Sequence, residues 1–262
     1  MGQLPYELRF CHKFNLHKLL SMLIDDNDIE SIARIYGVET AELKRVEDSF
    51  TATIAETAND LGKRFPQSDV PLRLVAIGDS ITSDRESYAK ILNMMWKDSP
   101  NRKVIDCGIS GDTTSNIINR FYSTVLIEEF DWAVIFLGTN DARELEGDDI
   151  SNISLTEFKR NMTYLSDTLL KAGKKLIHVT IPPVDSTRLQ AFFVGANWVY
   201  NLERIKATND FIRELSESRG TFLADLAIAI DSYDGEILES DGIHINKNGH
   251  KLLTEMLLKI VS

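Results

Sequence analysis

The sequence predicts an α/β fold with a central parallel sheet, preceded by an all-helical segment at the N-terminus. From Leu72 onward, short apolar runs alternate with longer stretches of helical periodicity, a pattern typical of a parallel sheet with helices on both faces. Residues 1–66 show helical periodicity and no strand-like run. We therefore divide the 262-residue chain into a helical segment, residues 1–66, and an α/β domain, residues 67–262.

Five apolar runs in the α/β domain are predicted to form the strands of the sheet. They are Leu72–Ile77, Lys103–Asp106, Ala133–Leu137, Lys175–Thr180 and Thr221–Leu226. Helices are predicted between these strands and after the last one. They are the stretches Tyr88–Trp96, Ser115–Glu129, Leu155–Lys171, Asn201–Ser218 and Lys247–Ile260.

Three helices are predicted within residues 1–66. The second is Ile29–Tyr36, ended by Gly37, and the third runs from about Thr40 to Leu61. Phe65 and Pro66 then mark the boundary to the α/β domain. We interpret this segment as a cap or as an element through which the chain forms a homo-oligomer. The first helix carries apolar residues at helical spacing, namely Leu16, Leu19, Leu20, Leu23 and Ile24.

A helix-turn-helix is an alternative interpretation of this segment. Ala33, Gly37 and Leu43 stand where that motif places its small residue, its turn glycine and its second-helix anchor. The charge has the wrong sign for DNA, because residues 1–66 hold eight Lys and Arg against eleven Asp and Glu, a net charge of −3. A helical hairpin that binds no nucleic acid is therefore the favoured interpretation, with a DNA-binding regulatory protein as the alternative.

The composition restricts the partners and the compartment. The net charge of −11 opposes binding to a phosphate backbone or an anionic membrane. The first ten residues lack the pattern of a signal peptide, and no apolar run has the length of a membrane span. Cys11 and Cys107 lie far apart without metal-type spacing, which favours two free thiols. We expect a cytoplasmic protein without a cofactor, whose partner is a small molecule.

Three of the predicted strands end in polar turns that contain glycine: Gly78–Ser80, Gly108–Thr114 and Gly138–Asp141. The carboxyl ends of neighbouring parallel strands share one edge of a sheet, so these turns should meet there. Acyl transfer from a hydroxyl needs a nucleophile and donors for the oxyanion. Ser80 is the candidate nucleophile. The candidate donors are the Ser80 N–H, the Gly111 N–H and the Asn140 side-chain amide.

The general base should be a histidine with an acid beside it. Among the five histidines, only His244 has an acid three positions before it, in Asp241-Gly-Ile-His244. Residues three apart in a turn can lie side by side, so Asp241 can fix the tautomer that directs the other ring nitrogen toward Ser80. His250 on the last helix and His178 in an apolar strand are interpreted as structural.

The four blocks together resemble those of the SGNH (GDSL-type) hydrolases over roughly residues 72–262. The resemblance rests on Gly78-Asp79-Ser80, on Gly111, on Asn140 and on Asp241 with His244. It implies Ser80 as nucleophile, Gly111 and Asn140 as oxyanion donors, His244 as base and Asp241 as its partner. It also implies a flavodoxin-like three-layer α/β/α sandwich. One departure is Asp106, which stands where the second block often begins with asparagine.

A nucleophile elbow of the α/β-hydrolase type is excluded by the same residues. That elbow needs Gly-x-Ser-x-Gly. Gly78-Asp-Ser80-Ile-Thr82 lacks the second glycine, and Gly108-Ile-Ser110-Gly-Asp112 places it one residue early. The elbow therefore does not fit either serine.

These observations predict a metal-independent serine esterase that hydrolyses carboxylic esters, with short-acyl, soluble substrates favoured. The aromatic residues of the loop Ile181–Tyr200 could line a substrate pocket or pack as core. Arg143 could meet an anionic leaving group or pair with a neighbouring glutamate. The predicted substrate-binding residues are Asp79, Arg143, Phe192, Phe193 and Trp198.

A metal-dependent phosphoesterase is the alternative enzyme class. Carboxylates and an imidazole are ligands that a divalent ion accepts. The residues that would supply them are Asp79, Asp141, Asp241 and His244.

Overall fold

The protein is described by a computed structural model that covers residues 4–11, 28–66, 68–147 and 150–262. The predicted helix that carries Leu16 and Ile24 lies outside the described residues. The helices are α1 (Leu4–Phe10), α2 (Ile29–Tyr36), α3 (Thr40–Gly62), α4 (Ser80–Ser83), α5 (Tyr88–Met95), α6 (Thr114–Thr124), α7 (Leu155–Lys171), α8 (Ser186–Phe192), α9 (Leu202–Arg219), α10 (Leu226–Asp231) and α11 (Lys247–Val261). The strands are β1 (Leu72–Gly78), β2 (Arg102–Asp106), β3 (Trp132–Phe136), β4 (Arg143–Leu145), β5 (Ile150–Ser151), β6 (Lys175–Val179), β7 (Trp198–Tyr200) and β8 (Phe222–Ala224).

The central sheet has five parallel strands in the spatial order β2-β1-β3-β6-β8. When only these strands are numbered along the chain, the order is 2-1-3-4-5, which is the flavodoxin-like order. The register pairs Ala76 with Asp106 and Gly78 with Phe136. The predicted fold is thus confirmed, and the turns after β1, β2 and β3 leave the sheet at the same edge.

The strands are apolar because both faces of the sheet are covered by helices. In β1, Leu74 and Ala76 point into a core formed with α3, α5 and α11. Val75 and Ile77 point to the opposite face, into a core formed with α6, α7 and α9. This two-residue alternation of buried side chains produces the three layers.

Some elements were not predicted from the sequence. A small antiparallel sheet, in the order β5-β4-β7, lies outside the main sheet. The predicted loop Ile181–Tyr200 contains α8 and β7. The last strand of the main sheet, predicted to reach Leu226, ends at Ala224 because Asp225 caps α10, with its carboxylate accepting from the Ile228 N–H.

The N-terminal helices contact the rest of the molecule along two surfaces. Ala33 and Leu43 pack with Leu8 of α1 in a small cluster of their own. Further along α3, Ile54 and Leu61 are buried in the main core. The hydrophobic core therefore extends across residue 66, where the domain boundary is predicted. Within the part of the chain that the structure describes, no helix is both long and apolar enough to cross a bilayer.

Candidate active site

Ser80 lies just beyond the carboxyl end of β1, as the first residue of the short helix α4. Asp79 caps this helix, with Oδ1 accepting from the Ile81 N–H at 3.0 Å. The turn is tight, since a Cβ atom on Gly78 would lie 1.9 Å from the Thr82 Oγ1. Only glycine therefore allows the chain to pass at once from the strand into the helix that presents Ser80.

The structure brings Ser80, His244 and Asp241 into one hydrogen-bonded line. The Ser80 Oγ lies 2.8 Å from the His244 Nε2, and the His244 Nδ1 lies 2.5 Å from the Asp241 Oδ2. The other oxygen of Asp241 accepts from the backbone N–H groups of Ile243 and His244, at 2.8 and 3.0 Å. These bonds hold the carboxylate against the imidazole within a single turn of the chain.

The two carboxyl groups beside Ser80 and His244 have opposite pKa shifts. Burial raises the pKa of Asp79 to about 7. Burial also opposes ionisation of Asp241, but the hydrogen bond and charge of His244 and two backbone N–H groups outweigh it and lower the pKa of Asp241 to about 2. Asp241 is therefore an anion at neutral pH, where it can stabilise a protonated imidazole.

The two further donors predicted for an oxyanion lie on the loops after β2 and β3. Gly111 has φ +84°, a conformation that favours glycine, and its backbone is exposed. The Asn140 Nδ2 lies 3.1 Å from the carbonyl oxygen of Asp112 and 3.3 Å from the Asp79 Oδ2. Asn140 thus links the second loop to the residue before Ser80.

The loops after β2 and β3 are fixed to each other by Asp141. Its carboxylate accepts from the backbone N–H of Thr114 at 3.1 Å and from the Thr114 Oγ1 at 2.5 Å. Asp106 makes the turn hydrogen bond of its loop, with Oδ1 accepting from the Gly108 N–H at 2.9 Å. The aspartate at position 106 therefore preserves the local turn.

The four residues named for a phosphoesterase do not form a metal-binding set. The Asp141 carboxylate faces Thr114, and Asp241 is engaged by His244. Across residues 4–11, 28–66, 68–147 and 150–262, no group of three or more His, Cys, Asp or Glu side chains is arranged to hold a metal ion. The geometry gives this alternative no support.

The predicted substrate-binding aromatic residues form a row that begins at α1. Phe192 is 41% exposed, and its ring centroid lies 4.8 Å from that of Tyr6. Phe193 and Trp198 continue the row, with centroid distances of 4.9 Å from Phe192 to Phe193 and 5.0 Å from Phe193 to Trp198. The guanidinium of Arg143 lies over the Trp198 ring, 5.5 Å from its centroid. We call Tyr6, Phe192, Phe193 and Trp198 the aromatic row.

Three residues of α1 contact the site, and the sequence analysis did not find them. The Tyr6 hydroxyl donates to the Asp241 Oδ2 at 2.8 Å. The Phe10 ring stacks on the imidazole of His244, with centroids 3.9 Å apart and planes 18° apart. Arg9 binds Asp84 through two hydrogen bonds of 2.8 Å. These residues have i, i+3 and i+4 spacing, which predicts that they share one face of the helix. The spacing does not predict which surface that face contacts.

The remaining described histidines have other partners. The His250 Nε2 lies 2.9 Å from the Asp84 Oδ2, and its Nδ1 accepts from the Tyr88 backbone N–H at 3.3 Å. His178 is fully buried between the hydroxyls of Ser166 and Thr221, at 2.8 and 2.9 Å. Both rings are bound on both nitrogens, so their positions are those of structural residues.

Comparison with known proteins identifies the family. The chain matches the GDSL-like lipase/acylhydrolase family over residues 76–252. It is also 32% identical over 120 residues to an uncharacterized lipoprotein of Bacillus subtilis (strain 168), an alignment that covers 42% of this chain and 49% of that protein. The chain thus spans about half the length of this relative.

Solved structures agree with the match. A lipase/acylhydrolase from Enterococcus faecalis has a TM-score of 0.60 and 28% identity, covering 72% of this chain and 95% of its own. A catalytic mutant of an acetylxylan esterase from Geobacillus stearothermophilus has a TM-score of 0.59 and 17% identity, covering 73% of this chain and 95% of its own. The second shares the fold. With more than half of its length matched, the chain belongs to the GDSL-like lipase/acylhydrolase family of ester hydrolases.

Proposed function

We propose that this chain hydrolyses carboxylic esters with Ser80 as nucleophile, His244 as general base and Asp241 as the residue that orients the base. The observation that carries the proposal is the hydrogen-bonded line from the Ser80 Oγ through both ring nitrogens of His244 to the Asp241 Oδ2. A histidine placed in this way can take the hydroxyl proton as the oxygen attacks an acyl carbon.

The acylation step transfers one proton. As the Ser80 Oγ bonds to the acyl carbon, its proton moves to the His244 Nε2, and the carbonyl oxygen becomes an oxyanion. The buried Asp241 anion stabilises the resulting imidazolium, whose Nδ1–H remains hydrogen-bonded to the Asp241 Oδ2. When the intermediate collapses, the bond to the alcohol breaks, and His244 returns the proton to the leaving alkoxide.

The oxyanion is held by the donors on the three loops. We assign this role to the N–H groups of Ser80 and Gly111 and to the side-chain amide of Asn140. The positive φ of Gly111 and the position of Asn140 between Asp112 and Asp79 support the assignment. Donors fixed before the reaction stabilise a developing charge without reorganisation.

Deacylation repeats these steps with water in place of the serine. His244 takes a proton from water as the water oxygen attacks the acyl carbon of the acyl-serine. The intermediate then releases the carboxylic acid, and the Ser80 Oγ recovers its proton from His244.

We propose a short acyl group and a soluble ester as the substrate. Ser80 and His244 are only 7% and 8% exposed, and Phe10 covers one face of the imidazole, so little space is left for a long chain. The aromatic row begins beside Asp241 and offers an apolar wall for the acyl group or the alcohol. The net charge of −11 disfavours an anionic lipid surface.

Labelling with a fluorophosphonate probe and peptide mapping tests the nucleophile. We expect the label on Ser80, its loss in Ser80→Ala, and its retention in Ser110→Ala, a matched control at a fully buried serine. Asn140→Ala should still be labelled, while its turnover of a nitrophenyl ester falls about 100- to 1,000-fold. Label on another residue, or wild-type turnover by Ser80→Ala, would contradict the mechanism. A series of nitrophenyl esters, from acetate upward, then tests the acyl length.

A further inference from the structure

Helix α1 presents one face to the loop that carries Asp241 and His244. Tyr6, Arg9 and Phe10 have i, i+3 and i+4 spacing, which places their side chains on the same side of the helix. All three contact residues of the α/β domain. Since the family match begins at residue 76, these contacts come from a part of the chain outside the matched region.

The Tyr6 hydroxyl bonds to the oxygen of Asp241 that also holds His244. The Asp241 Oδ2 accepts from the Tyr6 hydroxyl at 2.8 Å and from the His244 Nδ1 at 2.5 Å. Burial and the nearby carboxylate raise the pKa of Tyr6 far above its usual value, so the phenol remains a donor at any working pH. The hydroxyl is the fourth donor on this carboxylate, after the His244 Nδ1 and two backbone N–H groups. It restricts the rotation of the carboxylate, and with it the direction of the imidazole.

Phe10 contacts the same unit from another side. Its ring stacks on the face of the His244 imidazole, at 3.9 Å between centroids. Tyr6 and Phe10 also touch each other, with centroids 5.1 Å apart. The imidazole is thus held along its edge by Asp241 and across its face by Phe10, which leaves its Nε2 directed at Ser80.

The position of Tyr6 is fixed by contacts that do not involve the triad. The Arg9 guanidinium bonds to both oxygens of the buried Asp84 and to Glu239 at 2.8 Å. On another side of the helix, Leu8 is fully buried against α2 and α3. Because these anchors hold α1 by themselves, removal of the Tyr6 hydroxyl should leave the helix docked.

The two parts of the site differ in exposure. Gly111, on the loop after β2, is exposed, whereas Asp241 is fully buried under Tyr6. We infer that an ester approaches from the exposed Gly111 side while α1 stays docked. In this arrangement, α1 forms a part of the active site and does not block it.

We propose that Tyr6 is a positioning residue for ester hydrolysis, acting through Asp241 to hold His244 against Ser80. The proposal rests on the function proposed above. It assigns to the first helix a role in the chemical step, in addition to its packing. Tyr6 donates to a charged carboxylate. The loss of a hydrogen bond of this kind lowers the rate by about a factor of ten or more.

The test compares Tyr6→Phe with the wild type on one nitrophenyl ester. The phenylalanine keeps the ring contacts with Phe10 and Phe192 and removes only the hydroxyl. We expect kcat to fall about tenfold with KM within about twofold, because the hydroxyl faces Asp241 and not the ester. Tyr164→Phe, which removes an exposed hydroxyl from α7, is the matched control and should leave both constants unchanged. An unchanged kcat in Tyr6→Phe would overturn the proposal.

A double-mutant cycle separates positioning from general destabilisation. In an Asp241→Asn background, Tyr6→Phe should change the single-turnover acylation rate less than about twofold, because the carboxylate through which it acts is gone. An equal loss in both backgrounds would show that the hydroxyl acts elsewhere, and the proposal would be wrong. If Asp241→Asn itself kept wild-type turnover, the proposed triad would be wrong. That outcome differs from one in which only the role of Tyr6 is wrong.

Discussion

Two buried histidine–aspartate pairs contact helix α1. They differ in the hydrogen-bond partner of the ring nitrogen that does not face the aspartate. In the first pair, the His244 Nδ1 faces Asp241 and its Nε2 faces the Ser80 hydroxyl. In the second pair, the His250 Nε2 faces Asp84, and its Nδ1 accepts from the backbone N–H of Tyr88. Each carboxylate also accepts from one residue of α1, Tyr6 in the first pair and Arg9 in the second.

Under the proposed mechanism, a buried acid beside a histidine is not sufficient for catalysis. The backbone amide of Tyr88 requires an unprotonated Nδ1 on His250, so the proton of that ring points at Asp84. In His244 the proton lies on the Nδ1, and the Nε2 is left to accept from a hydroxyl. The same two residue types thus form the proposed general base in one place and a structural contact in the other.

Asp241→Asn should produce the largest effect on activity. The amide cannot hold the Nδ1–H tautomer of His244 or stabilise an imidazolium, so we expect kcat to fall about ten-thousandfold. Steady-state hydrolysis of a nitrophenyl ester measures the loss, and circular dichroism checks the fold. The same substitution at the other pair, Asp84→Asn, is the matched control. An equal loss of turnover there would abolish the distinction between the pairs.

Asp84→Asn should have its main effect on stability. Burial opposes ionisation of Asp84, but the charge of Arg9 and the hydrogen bonds of Arg9 and His250 outweigh it and hold the pKa of Asp84 below its usual range. Removal of this charge leaves the Arg9 guanidinium, which is 11% exposed, without its buried partner. We expect the free energy of unfolding to fall by about 3 kcal/mol.

Urea unfolding at pH 7 measures this loss. Turnover per labelled active site should fall far less than in Asp241→Asn, since a loosened α1 affects the triad only through Tyr6 and Phe10. A variant with wild-type stability would mean that the pair of Asp84 and Arg9 does not anchor the helix.

The smallest predicted effect concerns His178, a buried histidine whose hydrogen-bond partners include no acid. Burial lowers the pKa of His178 to about 4. Between about pH 4 and pH 6.5 the unfolded chain therefore binds a proton that the folded chain does not, and stability falls as the pH is lowered through that range. The contribution is about 3 kcal/mol at most.

Urea unfolding of the wild type and of His178→Gln at several pH values isolates this contribution. Asp79 and Asp141, whose pKa values burial raises to about 7 and about 6, act in the opposite direction in both proteins. The glutamine variant should therefore lose less stability than the wild type as the pH is lowered from 6.5 to 4. Parallel pH dependences would show that His178 does not remain neutral in the folded protein.

The sheet and its edge were predictable because their signals are local. The apolar runs and the turns after them lie together in the sequence, and the register of parallel strands then brings Ser80 and Asn140 to one edge. The Asp241 to His244 contact was predictable for the same reason, since the partners are only three positions apart in one turn. The cytoplasmic location, the homo-oligomer and the boundary at residue 66 stay predictions.

The docking of α1 was not predictable, because nothing local determines which surface a short helix covers. Tyr6 and Phe10 show helical spacing, but their partners lie more than two hundred residues away. The aromatic row likewise depends on α8 and β7, which a loop-like stretch of sequence did not reveal. The guanidinium of Arg143 lies over Trp198, and the predicted contact of Arg143 with a leaving group stays a prediction.

The docking of α1 also has a consequence for how the molecule acquires its activity. The bond between Tyr6 and Asp241 joins positions 235 residues apart, and the bonds of His244 to Ser80 and of His250 to Asp84 join positions 164 and 166 residues apart. Before such distant positions can meet, the chain must lose the entropy of closing a long loop. These contacts therefore tend to form late in folding. Secondary structure should thus return early during refolding, while hydrolysis returns only when the two ends of the chain have met.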